Sequence, residues 1–130
     1  MEYPLARQRW KEVRLAEVGR WAEAVVVSEQ AVALRRELVE LNRDAHLSDY
    51  VQSLVVRGWT LSEARQYGDA VRPLAEAFAA GQELPELARE LLNDAVAVLR
   101  EARRRSPAEV DAAFETLTGR TFTEWISEAG

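Results

Sequence analysis

Ala24, Val27, Ala31, Leu34, Leu38 and Leu41 recur at alternating spacings of three and four, which lays a continuous apolar stripe along a helix of about five turns. A helix striped in this way must pack on something. Further stripes follow at Leu47, Val51, Leu54, Gly58 and Leu61, at Ala70, Leu74 and Ala77, and at Leu84, Leu87, Leu91, Ala95, Val98 and Ala102. Glycines and prolines are few, at 6 and 4, and punctuate the segments. The pattern predicts an all-α fold with helices near 5–18, 21–42, 46–65, 67–80, 84–104, 107–118 and 121–128. Short connections between them favour antiparallel neighbours. Gly58, inside a helical stripe, costs about 1 kcal/mol relative to alanine and predicts a helix approaching closely there. Ser106-Pro107-Ala108-Glu109 and Thr121-Phe122-Thr123-Glu124 both read as capping boxes, the first with proline at N1.

The chain has 130 residues, enough for one domain, 1–130, and short for two. Hydrophobic residues make up 48% and charged residues 30%, so the chain can bury enough apolar surface to fold. With no cysteine and a single histidine, His46, disulfides, thiolate nucleophiles, iron–sulfur clusters and multi-histidine metal sites are excluded. A net charge of −5 gives no global attraction to phosphate backbones or anionic lipid. The chain opens without a basic region followed by an apolar run, and holds no stretch apolar enough to span a membrane. A soluble, cytoplasmic protein is expected. Lys11 as the only lysine, together with abundant alanine, points to a GC-rich bacterial genome.

An internal repeat appears at an offset of 46. Leu15 falls on Leu61, Glu17 on Glu63, Trp21 on Tyr67, Glu23 on Asp69, Ala24 on Ala70, Val25 on Val71, Ala31 on Ala77 and Val32 on Phe78. The physical reading is a helical hairpin: an aromatic after the turn wedges between two helices, and alanines one face apart let them pack tightly. The segment Val18-Gly19-Arg20-Trp21-Ala22-Glu23-Ala24-Val25, with Ala31 beyond it, resembles the turn and second helix of the tetratricopeptide repeat. Leu54, Gly58 and Leu61 resemble that family's first-helix positions, and Tyr67, Ala70, Leu74 and Ala77 its second-helix positions. Arg65 stands where a turn glycine is usual, and Arg57 where a leucine is usual. The 46-residue spacing resembles longer repeats of actinobacterial arrays, which close on segments similar to Phe114–Gly119 followed by Trp125. The resemblance implies a right-handed stack of antiparallel hairpins, an α-solenoid of about seven helices. It would divide into a first hairpin at 1–43, a second at 44–82 and a C-terminal cap at 83–130.

Catalytic signals are sparse. His46 has Asp44, Ser48, Asp49 and Ser53 near it in sequence, but sequence proximity makes no triad. No glycine-rich phosphate loop is present. Glu83, Glu86 and Glu90, or Asp111 and Glu115, read as solvated helix faces rather than metal ligands. Arg100, Arg103, Arg104 and Arg105 close a helix, where cations complement its dipole, and no aromatics interleave them for base stacking. Trp21 is accounted for by the hairpin wedge and Trp125 by the cap, leaving Trp10 and Trp59. If the units stack as the resemblance implies, Gln52, Val55, Trp59 and Ser62 line a concave groove with Arg9 and Val13 from the first helix and Arg89 and Asn93 from a later one. The expectation is therefore a non-catalytic module that binds a protein or peptide segment in this groove, with Val55 and Trp59 as apolar anchors. No enzyme activity, cofactor, metal, nucleic acid or membrane is expected. The alternative is a self-associating structural module, a homodimer, or the terminal part of a longer array.

Overall fold

The structure is a computed structural model that describes residues 4–86 and 89–129, without the side chains of 4–18, 89, 128 and 129. The described residues are all-α. The helices are α1 (Pro4–Leu41), α2 (Arg43–Glu63), α3 (Tyr67–Gly81), α4 (Arg89–Arg105), α5 (Pro107–Thr118) and α6 (Phe122–Ala129). Helix α1 packs on α2, α2 on α3, and α3 on both α4 and α5; α2 also reaches α4, and α6 docks on α5.

The first correction is at Gly19. Helices expected at 5–18 and 21–42 are one helix, α1, so the described residues form six helices where about seven were expected, and no turn within α1 makes the first hairpin at 1–43. Nothing lies within 4 Å of a Cβ built at Gly19, so no neighbour forces a turn. One interior glycine costs about 1 kcal/mol, and its neighbours Val18 and Arg20 offer no capping side chain. The helix runs through.

The equivalent turn forms 46 residues later, without a glycine. Arg65 takes the left-handed conformation with φ 65°. Its N–H donates to the Ser62 carbonyl at 3.0 Å, and the Gln66 N–H to the Leu61 carbonyl at 2.8 Å, the paired bonds of a Schellman motif. This closes α2 and folds α3 back on it. The reversal at the other end of α2 is capped by Asn42, whose Oδ1 accepts from the Ala45 N–H at 3.2 Å.

The second stripe packs as expected: Leu47, Val51, Leu54 and Leu61 are buried with Ala70, Leu74 and Ala77 of α3. A Cβ at Gly58 would overlap the Leu74 side chain, so the close approach expected at this glycine is real. Gly81 plays the same part against Leu92 of α4. Ala95, Leu99 and Ala102 extend the core through α4, and Val110 and Phe114 through α5. Trp125 caps it, its ring 5.2 Å from those of both Phe78 and Phe114.

The capping box at Thr121 forms in both directions, Glu124 N–H to Thr121 Oγ1 at 3.1 Å and Thr121 N–H to Glu124 Oε1 at 3.2 Å. At Ser106 it does not. Ser106 is the N-cap with proline behind it, but its side chain makes no capping bond.

Candidate docking surface

Three residues of the Ala24–Leu41 stripe face outward. Val27 is 62% exposed, Leu34 57% and Leu41 82%, with Ala24, Ala31 and Leu38 half-buried beside them. The face of α1 turned to α2 is instead Trp21, Val25, Ser28, Val32, Arg35 and Val39, which recur at the same three-and-four spacing. Ala70 and Ala77 are fully buried, whereas Ala24 and Ala31, which fall on them under the 46-residue shift, are only half-buried.

Polar groups decide which stripe turns inward. Arg57 of α2 donates through Nη1 to the Val25 carbonyl at 3.0 Å and to Ser28 Oγ at 3.1 Å, and its Nη2 lies 3.7 Å from Glu29. Arg35 pairs with Asp49 at 3.0 Å. Arg36 donates to Tyr50 Oη at 3.2 Å and to Glu76 of α3 at 3.1 Å, while the Tyr50 hydroxyl donates to the same carboxylate. Burial first, and that bond to Glu76 second, push the Tyr50 phenol above its ordinary range. The outward stripe is left without a cover among the described residues.

Around α1, rows of residues seven apart follow one another away from α2. Ser28 and Arg35 come first, then Ala24, Ala31 and Leu38, then Val27, Leu34 and Leu41, and last Glu23, Gln30 and Glu37. On α2, Val56 stands two turns beyond Asp49, in the row that Arg35 reaches, and is 48% exposed. Trp59 is 45% exposed and meets Trp21 of α1 edge-to-face, with centroids 5.3 Å apart. Trp21 is thus a partner of Trp59 rather than a wedge inside a hairpin.

The groove residues expected from sequence are placed as follows. Gln52 and Trp59 are exposed on α2, Ser62 is half-buried, and Asn93 is exposed on α4. Val55 is 8% exposed and belongs to the core, so it offers a partner no anchor. The side chains of Arg9, Val13 and Arg89 lie outside the described residues. Arg9 and Val13 belong to α1 itself rather than to a separate first helix. Sequence reasoning missed the outward character of the α1 stripe. The signal available was a second stripe at equal spacing, carrying Ser28 and Arg35, whose polar groups demand partners on a neighbouring helix.

A cleft of ≈ 740 Å³ opens where α1, α2, α3 and α5 converge, lined by Val25, Glu29, Arg57, Asp69, Arg72 and Thr116 among others. Its two guanidinium and two carboxylate groups balance. Pro73 also lines it and brings no N–H to the Asp69 carbonyl one turn back. Among the described residues that line it no nucleophile is paired with a base, and His46, in the first turn of α2, lies elsewhere. Among the described residues no group of three potential metal ligands is assembled, and no helix is long and apolar enough to cross a membrane. The arginine run at the end of α4 is largely engaged. Arg103 holds Asp111 through two bonds of 2.9 and 3.3 Å and lies over the Phe122 ring, while Arg104 and Arg105 both bind Glu101.

Comparison with known proteins finds no matching family model, curated protein or solved structure.

Proposed function

We propose that this chain is a non-catalytic interaction module that docks a helical segment of a partner protein on the outer face of α1, with Val56 and Trp59 of α2 at its margin. The observation that carries the reading is the exposure of Val27, Leu34 and Leu41 along one helix. Exposed apolar side chains gathered along one helix face, unlike single scattered ones, are the kind of surface that marks an interaction site. A rigid helix presents it at low entropic cost. The α2–α3 hairpin, with Gly58 against Leu74 and with Ala70 and Ala77 buried, supports the tetratricopeptide-like reading of that unit. In a stack of such hairpins α1 is the edge element, open to a further helix.

The double substitution Leu34→Ser/Leu41→Ser tests the reading. Both side chains are exposed, so the melting temperature stays within a few degrees of the parent. A partner co-purified from the native host and reconstituted pure should lose its binding to this variant. Undiminished binding by the variant sinks the proposal. The groove on α2 is the second reading, favoured by the exposed Trp59. Trp59→Ala would then abolish binding while Leu34→Ser/Leu41→Ser leaves it intact.

A further inference from the structure

We infer that the helix received by α1 is amphipathic, with an apolar seam flanked by lysine or arginine. The inference rests on reading α1 as the docking face and adds the chemistry of its partner. Ala24, Val27, Ala31, Leu34, Leu38 and Leu41 occupy the two apolar positions of a heptad over three repeats, the seam that a second helix matches knob into hole. Glu23, Gln30 and Glu37 form the next row outward, with Glu40 one row beyond, and all are exposed. Glu23, Glu37 and Glu40 take part in no ion pair or hydrogen bond among the described residues.

The cations that would neutralise them are engaged elsewhere: Arg35 by Asp49, and Arg36 by Glu76 and Tyr50. Arg20, one turn before Ala24, is an exposed cation at the N-terminal end of the patch. The border of the seam away from α2 is therefore acidic at Glu23 and Glu37, with Glu40 beyond it in a row it shares with the apolar Val26 and Ala33, and charges in these flanking positions set which helix is accepted.

A second copy of the chain meets this border poorly. An antiparallel pairing sets the Glu23–Gln30–Glu37 row against itself, bringing Glu23 of one copy to Glu37 of the other. A parallel pairing sets that row against Ser28, Arg35 and Asn42, of which the one cation is already bound to Asp49. Two chains of net charge −5 also repel at distance.

Two synthetic helical peptides with one leucine and alanine seam, flanked throughout by lysine or throughout by glutamate, test this against the full chain. Fluorescence anisotropy at low salt should give the lysine-flanked peptide at least about tenfold tighter binding, with the margin shrinking as salt screens the border. Glu23→Lys/Glu37→Lys should reverse the preference. Equal binding of both peptides, weakened by Leu34→Ser/Leu41→Ser, leaves the docking face standing and overturns the inference about charge. Binding of neither peptide, or binding indifferent to the leucine substitutions, overturns the docking reading as well. A dimer in light scattering that Leu34→Ser/Leu41→Ser dissociates gives the face to a second copy and overturns the inference.

Discussion

The seam between α2 and α3 and the seam between α1 and α2 are built on different physics. The first is apolar and interlocked: Gly58 admits Leu74, and Leu54, Leu61, Ala70, Leu74 and Ala77 are all but inaccessible. The second adds to its apolar contacts, Val32, Val39 and the Trp21–Trp59 pair, a set of arginine pins: Arg57 to the Val25 carbonyl and Ser28, Arg35 to Asp49, and Arg36 to Tyr50 and, on α3, to Glu76. Apolar packing fixes a helix by shape. Arginine pins fix its rotation and leave its far side free to carry apolar residues into solvent.

Substituting the glycine inside the apolar seam and the glycine on the open side of α1 should give effects of opposite sign. Gly58→Ala forces a methyl group into Leu74, which is fully buried, and should destabilise by about 1–3 kcal/mol, as overpacked cores do. Gly19→Ala meets nothing within 4 Å and should stabilise α1 by about 0.5–1 kcal/mol. Urea unfolding of the two variants measures both. A Gly58→Ala protein as stable as the parent would remove the claim that α2 and α3 touch backbone to side chain.

Arg57→Met keeps the aliphatic stem and removes the donors to Val25 and Ser28. Hydrogen bonds from a charged group are worth about 1.5–3 kcal/mol each in favourable cases, and part exposure brings the expected loss to about 1–2 kcal/mol. Hydrogen exchange should locate that loss. Amides of α1 beyond Gly19 should exchange faster while those of α3 keep their protection, because the apolar seam is untouched. Equal acceleration in α3 would mean the two seams melt as one.

The contrast also explains what the sequence made legible. Periodicity placed the stripes of α2 and α3 correctly because each of those helices has one apolar face, and burial has no second candidate. In α1 two stripes share the same spacing, and counting apolar residues favours the one with three leucines. The decision rests with Ser28 and Arg35, whose partners Arg57 and Asp49 come from another helix. Turns divide in the same way. Gly19 looks like a turn residue and is helical, while Arg65 looks like a helix former and sits at φ 65°, because the turn is set by how α3 packs rather than by its own residue. Of the expected groove, Trp59 is on the surface and Val55 is not, since Trp59, one turn on, is rotated by about 40° past the same edge of the buried face of α2 at which Val55 sits.

Arg65 offers a smaller test of the same point. A non-glycine residue in the left-handed region is strained, whereas glycine adopts it freely. Arg65→Gly should therefore raise stability by about 0.5–1 kcal/mol, seen as a higher melting temperature with an unchanged circular dichroism spectrum. A fall would mean that the Arg65 side chain, not the backbone bonds to Ser62 and Leu61, holds the turn.

The smallest effect is expected from acid, and it separates local ion pairs from those that join helices. Hydrogen bonds from Arg104 and then Arg105 hold the Glu101 carboxyl down to about 2, and a bond from Arg43 lowers that of Glu83. Both folded-state values lie below the unfolded value near 4.5. Each pair therefore contributes its stability in full above that pH and loses it as pH falls through the folded value, for Glu101 between about 4.5 and about 2. Glu101 and its partners lie within α4, whereas Arg43 begins α2 and Glu83 follows α3. Carboxyl carbon NMR should show Glu101 titrating near 2 in the parent and returning to the ordinary range in Arg104→Gln/Arg105→Gln, with amides outside α4 unmoved. Arg43→Gln should release Glu83 and also shift amides on both α2 and α3. If the two variants perturb equally distant amides, the distinction between helix-internal pairs and inter-helix pins fails for this fold.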